Sequence, residues 1–203
     1  MIIRKITELF QRANQILEDA KLAHEYTESC KSVIQAQDID SYRLWLEENQ
    51  ENAGKLTDDQ RRDLLLEAIQ RDDEDIFKET LGAFADGDPN YEVIEEGSGF
   101  DAPIYHRRSS LLYNAILNKK CNVALSLARD PQTDLSYQGR ETGVVIDSGI
   151  GAFYAVSVDF TKDYAPLVLD LALDLAKEKG MEPVVEALKK RGAPVTSAPA
   201  LLK

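Results

Sequence analysis

Apolar residues recur at helical spacing in paired blocks along this chain, and the clearest pair lies near the C-terminus. Leu171, Leu173 and Ala176 precede Gly180, and Val184, Val185 and Leu188 follow it, so two apolar stripes flank one turn residue. Gly180 can take the left-handed conformation that ends a helix, and Gly192 can do the same for the second block. Each predicted helix is about three turns long and too short to persist alone in water, so each pair must pack on a neighbour. The same order of small, apolar and turn residues recurs at 110–127 and 64–77, and more loosely at 33–46. Placed in register at the turn, the four copies meet at Gln37, Asp72, Lys119 and Gly180, at intervals of 35, 47 and 61 residues.

Upstream of the repeats, residues 2–26 predict an amphipathic helix. Ile2, Ile6, Leu9, Ala13, Ile16, Ala20 and Ala23 alternate by four and three, with Ile3, Phe10 and Leu17 beside them. A repeat array needs its open end covered, and residues 1–30 are placed to do so as a capping helix. The heptad spacing also permits a weak homodimer seam, with a monomer as the alternative.

The chain resembles the ankyrin-repeat family, whose unit is about 33 residues with a T-P-L-H-x-A start. Ser110-Leu-Leu-Tyr-Asn-Ala115 is a degraded form of that start, and Leu171-Ala-Leu-Asp-Leu-Ala176 followed by Gly180 is closer to a terminal repeat. The resemblance implies a mainly all-α fold: a single domain over 1–203, an ankyrin-like α-solenoid of about four degenerate helix-turn-helix repeats in 31–195, and a tail at 196–203. Measured against the family's unit, the second interval carries about 14 extra residues and the last about 28. Each insertion predicts a β-hairpin. In the first, β-prone runs flank Gly97-Ser-Gly99; in the second, glycines separate Gly143–Ile146 from the run that ends at Val158.

Charge and composition then narrow the function. Residues 1–100 hold 24 acidic and 11 basic residues and the remainder 12 and 13, so the net charge of −12 arises in the first half. Such a field disfavours nucleic acid and favours a basic protein surface. Two cysteines far apart suggest no disulfide framework, and no stretch approaches membrane-spanning length. A cytoplasmic protein with no membrane association is expected, since Met1–Glu8 lacks the apolar core of a signal peptide. Acids at helix starts have a local explanation too, as Thr57-Asp-Asp-Gln60 is a capping box.

Catalytic and ligand patterns are incomplete. Asp86-Gly-Asp88-Pro-Asn90 starts like a calcium loop, but Tyr91 stands where glycine is required and Gly97 where a glutamate is required, whereas a turn explains Asp88-Pro-Asn90 without metal. Asp147-Ser-Gly149 looks like an aspartic-protease signature, yet no second such motif is present to share the proton. His24, His106, Cys30 and Cys121 have no local zinc spacing, so neither metal nor cofactor is expected.

The resulting expectation is a non-enzymatic protein-interaction module, an acidic inhibitor or immunity-type protein that binds a basic protein partner. The expected contacts are Tyr91, Ile94, Phe100, Ile104, Tyr105, Phe153 and Tyr154 in the two hairpins, because aromatic anchors dominate interfaces. The acids Asp72, Asp73, Glu74, Asp75, Glu95 and Glu96 are expected to steer the partner. Alternatives are a secreted effector or scaffold that binds a host protein and, more distantly, an aspartic-type hydrolase using the Asp147 loop.

Overall fold

The computed structural model describes residues 2–36, 38–99, 102–136, 140–147, 156–163, 168–176 and 180–194. It is mainly helical. The helices are α1 (Ile2–Ala36), α2 (Ile39–Glu48), α3 (Gln50–Ala53), α4 (Asp58–Arg71), α5 (Glu74–Ala85), α6 (Leu111–Leu117), α7 (Cys121–Arg129), α8 (Val168–Ala176) and α9 (Glu182–Lys190). The strands are β1 (Glu92–Gly99), β2 (Ala102–Ser110), β3 (Arg140–Asp147) and β4 (Val156–Asp163). The chain divides into two compact units, the first of Met1–Arg71 with Asp75–Gly87, the second of Asp72–Glu74 with Asp88–Lys203.

In the first unit α1 packs against α4, and α2 meets α5 through side chains. Ala23, Tyr26, Cys30 and Ile34 recur by three and four along the C-terminal half of α1 and are buried. Gln35 Nε2 donates to Glu67 Oε1 at 2.6 Å, and Arg71 donates to the Ile34 carbonyl. From α2, Tyr42 is fully buried and its hydroxyl lies 2.9 Å from Thr80 Oγ1. Thr80 gives its only proton to the Ile76 carbonyl at 2.7 Å, so Tyr42 is the donor in that pair. The predicted capping box starts α4: Thr57 N–H donates to Gln60 Oε1 at 2.9 Å and Gln60 N–H to Thr57 Oγ1 at 3.2 Å.

The second unit repeats this plan. Helix α6 pairs with α7 and α8 with α9, while α6 also packs on α8 and α7 on α9. Leu111, Leu112, Ala115, Ile116, Val123, Ala124 and Leu127 bury one pair, and Leu169, Ala172, Val184, Val185 and Leu188 the other. Ser110 caps α6 by accepting from Tyr113 N–H at 3.1 Å. Arg191, beyond α9, donates to the carbonyls of Ala128, Pro131 and Thr133 at 3.0–3.2 Å and so ties the last pair to the loop after α7.

The turn register read from sequence is visible in the backbone. Asp72, Lys119 and Gly180 have φ of +59°, +58° and +61°, the left-handed region at three equivalent points between paired helices. Gln37, the fourth point, lies outside the described residues. Around Lys119 the chain makes a Schellman closure: Lys120 N–H donates to the Ala115 carbonyl and Lys119 N–H to that of Ile116, both at 2.9 Å. A residue with a Cβ is disfavoured in that conformation, whereas glycine is not. Lys119→Gly is therefore expected to raise stability by about 0.5–1 kcal/mol. Gly180→Ala is expected to lower it by about 1 kcal/mol, a purely conformational cost because a Cβ there would meet nothing within 4 Å. Urea midpoints at constant m-value report both changes.

Two expectations about the insertions and the first helix are revised. The two predicted hairpins are halves of one antiparallel sheet of order β1-β2-β3-β4, because β2 also pairs with β3 from Ile104↔Val144 to Arg108↔Arg140. The period-2 pattern identifies strands but carries no information about which hairpin edges meet. The first helix runs to Ala36, well beyond residue 26, and Ala23 is the first buried residue of its stretch 11–36. Residues 11–22 are exposed throughout, with Ile16 and Leu17 at 66% and 68% exposure.

Candidate interaction surfaces

The outer face of α2 is the most distinctive surface of the first unit. Asp38 starts this helix by accepting from Ser41 N–H at 3.0 Å and from Ser41 Oγ at 3.1 Å, and those bonds hold its carboxyl below the usual range. With Tyr42 directed into the core, helical geometry sends Asp40, Arg43, Leu44, Glu47 and Glu48 outward, and all five are exposed. Leu44 is 57% exposed in the middle of this acidic face, and Glu51 on α3 is exposed as well. Arg43, the one cation among those five, is bound by Glu79 at 2.6 Å and lies 3.7 Å from Asp40. What the face presents is a leucine among carboxylates, an arrangement suited to an apolar contact ringed by basic groups.

Behind α2 the support is rigid. Trp45 stacks on Tyr26 of α1 with ring centroids 5.1 Å apart. The buried Cys30 thiol neighbours the Tyr42 hydroxyl, which donates to Thr80 Oγ1 while Thr80 donates to the Ile76 carbonyl. Burial pushes the Cys30 thiol up to about 12 and raises the Tyr26 and Tyr42 phenols above their ordinary range. An unfolded thiol ionises near 9 while the native one stays protonated to about 12, so unfolding releases protons and stability falls as pH rises between those values. A flat stability profile through neutral pH, declining from about pH 9, is expected by urea titration. In thiol labelling Cys30 should react only on unfolding, whereas part-exposed Cys121 reacts natively but slowly, since burial and then Asp72 and Glu182 raise its pKa.

The contacts expected from sequence fall in the second unit, apart from Asp75, and are not alike. Tyr91 and Ile94 are half-buried on either side of buried Val93. Glu95, Glu96, Ile104 and Tyr105 lie in paired backbone, opposite Arg107, His106, Val144 and Gly143 respectively. Phe100, Phe153 and Tyr154 lie outside the described residues, as do Ser148 and Gly149 after Asp147. Asp72 has a local role: its Oδ1 accepts from the N–H groups of Asn122 and Val123 at 2.9 and 3.1 Å, and its carbonyl accepts from Asn122 Nδ2 at 3.0 Å. It thus caps the start of α7 across 50 residues of sequence. Glu74 accepts from Ser126 Oγ at 3.1 Å, Asp73 is half-buried, and Asp75 in the first unit is exposed.

Asp88 uses its carboxylate on Asn90 N–H at 2.9 Å, and Tyr91 N–H donates to the Asp88 carbonyl, which makes Asp88-Pro-Asn90 a turn. Asn90 then bridges to the Gln132 carbonyl and Asp134 N–H. A groove of about 510 Å³ between α7 and α9 is lined by Ala128, Arg129, Pro183, Glu186, Ala187, Lys190 and Arg191, the last already committed to three carbonyls.

Sequence reasoning missed Leu44 and the α2 face. The signal was present as Asp40, Leu44, Glu47 and Glu48 on one side of a ten-residue helix, but it needed the position of Tyr42 to say which side faces out. Counted by unit, the first holds 17 acidic and 11 basic residues and the second 19 and 13, so each carries −6 and the contrast between sequence halves does not follow the units. Among the described residues no helix is long and apolar enough to cross a membrane. No family model, curated protein or solved structure matches this chain.

Proposed function

We propose that this chain is a non-enzymatic binding protein of ankyrin-like helical-repeat architecture, acting as an acidic inhibitor or immunity-type protein on a basic protein partner. The repeat reading is supported by the packed helix pairs α6–α7 and α8–α9 of the second unit and by the common left-handed residue at Asp72, Lys119 and Gly180. The observation that carries the functional reading is the exposed outer face of α2, where Leu44 sits among Asp40, Glu47 and Glu48 on a helix anchored by Tyr42. An apolar contact supplies affinity there while the surrounding carboxylates select a basic surface and speed encounter. Tyr91, Ile94, Ile104 and Tyr105 form a separate proposed contact region in the second unit.

Immobilised chain incubated with extract of its source cells, then eluted by a salt gradient, tests the class of partner. A retained protein with a basic surface that is released well before about 1 M salt, where the screening length is about 3 Å, is the expected result. Retention of only acidic or salt-insensitive proteins would contradict the reading.

A further inference from the structure

We propose that the exposed stretch of α1 over residues 11–22 is a self-association surface, on which a second copy of this chain docks antiparallel. The inference is independent of the partner proposed above. Residues 11–22 are exposed throughout, yet Ala13, Ile16 and Ala20, with Leu17 beside them, continue the 4-3 stripe that, from Ala23 on, packs inside the first unit. The stripe is thus covered by the chain itself from Ala23 on and bare over residues 11–22.

The residues on the bare stretch are complementary to their own reverse. When two copies of α1 are aligned antiparallel so that Ala13 meets Ile16 of the second copy, the next layers out pair Leu9 with Ala20. The Ala13–Ile16 layer, made twice by symmetry, joins one alanine to one large aliphatic residue, which lets the helices approach closely without a void. On one flank the register sets Phe10 opposite Leu17 of the second copy; on the other it sets Arg12 opposite Asp19, each twice by symmetry. A parallel pairing instead sets the cations Lys5 and Arg12 against Phe10 and Leu17. The charge along α1 has the same sense: residues 1–12 hold three basic residues and one acid, and residues 18–28 hold four acids and one lysine. Only the antiparallel arrangement lays the basic end of one copy on the acidic end of the other.

Sedimentation equilibrium of the full chain tests this, with circular dichroism as the control for folding. The wild type should dimerise with a Kd below about 100 µM. Ile16→Asp should abolish the dimer while the helical signal is kept, since the side chain is already largely exposed. Arg12→Glu and Asp19→Lys should each weaken the dimer about tenfold, and the double exchange should restore it. A wild type that is monomeric at about 100 µM overturns the proposal and leaves the face to a different partner. A dimer that survives Ile16→Asp overturns the surface, and failure of the double exchange to restore association overturns the antiparallel register.

Discussion

Tyr42→Ala is expected to cost about 3–5 kcal/mol of stability in the first unit, the range for truncating a large aromatic side chain in a close-packed core. Tyr42 is among the largest fully buried side chains, and it carries two loads. Its ring fills the space between α2 and its neighbours, and its hydroxyl bonds Thr80 Oγ1. Tyr42→Phe separates the two. It keeps the ring, leaves Thr80 its bond to the Ile76 carbonyl, and removes only the phenolic link, so a loss of about 1 kcal/mol is expected. The single tryptophan, Trp45, stacks on Tyr26 in the same unit and gives a fluorescence signal for its unfolding in urea. Equal losses for the two variants would show that the hydroxyl network, rather than ring packing, dominates.

Asp72→Ala is expected to destabilise the second unit by about 2–3 kcal/mol, the scale of charge-assisted bonds to one exposed and one part-buried N–H together with the cost of a left-handed alanine. The carboxylate satisfies two N–H groups at the start of α7, where the helix dipole adds to its hold. Asp72→Asn should retain much of the stability, because asparagine tolerates the left-handed region and keeps an acceptor oxygen. Asp72→Gly should fall between Asn and Ala, relieved of backbone strain but without a cap. Hydrogen exchange at Asn122 and Val123 reads the cap directly, and faster exchange in the Ala and Gly variants is the expected outcome. If Asp72 contributed only to a long-range field, those two amides would exchange alike in all four proteins.

These residues also show what a single sequence can disclose. The helix pairs were legible because their apolar stripes break at fixed points, and the backbone confirms three of those points with nearly equal φ, although only one is glycine. The box at Thr57 and the turn at Asp88 were legible for the same reason, since each is closed by residues within three positions of one another. Bonds that span the sequence were not. Nothing near Asp72 says that its carboxylate serves Asn122, and the acidic run around it reads equally well as a solvated face. The pairing of β2 with β3 is of the same kind, because strand patterning sets which face is buried but not which edge finds which. Leu44 was overlooked for a third reason. A lone leucine among acids looks like one more core position until Tyr42, two residues earlier, is seen to occupy the core in its place.

The proposed function rests most heavily on the α2 face, and the salt dependence of partner binding tests it most directly. Compared with the wild type, a variant carrying Asp40→Asn, Glu47→Gln, Glu48→Gln and Glu51→Gln should fold normally, since all four side chains are exposed. At low salt it should bind the captured basic partner at least about tenfold more weakly, with a shallower dependence of log Kd on log salt. An affinity and a salt slope both unchanged by the four substitutions would contradict the account.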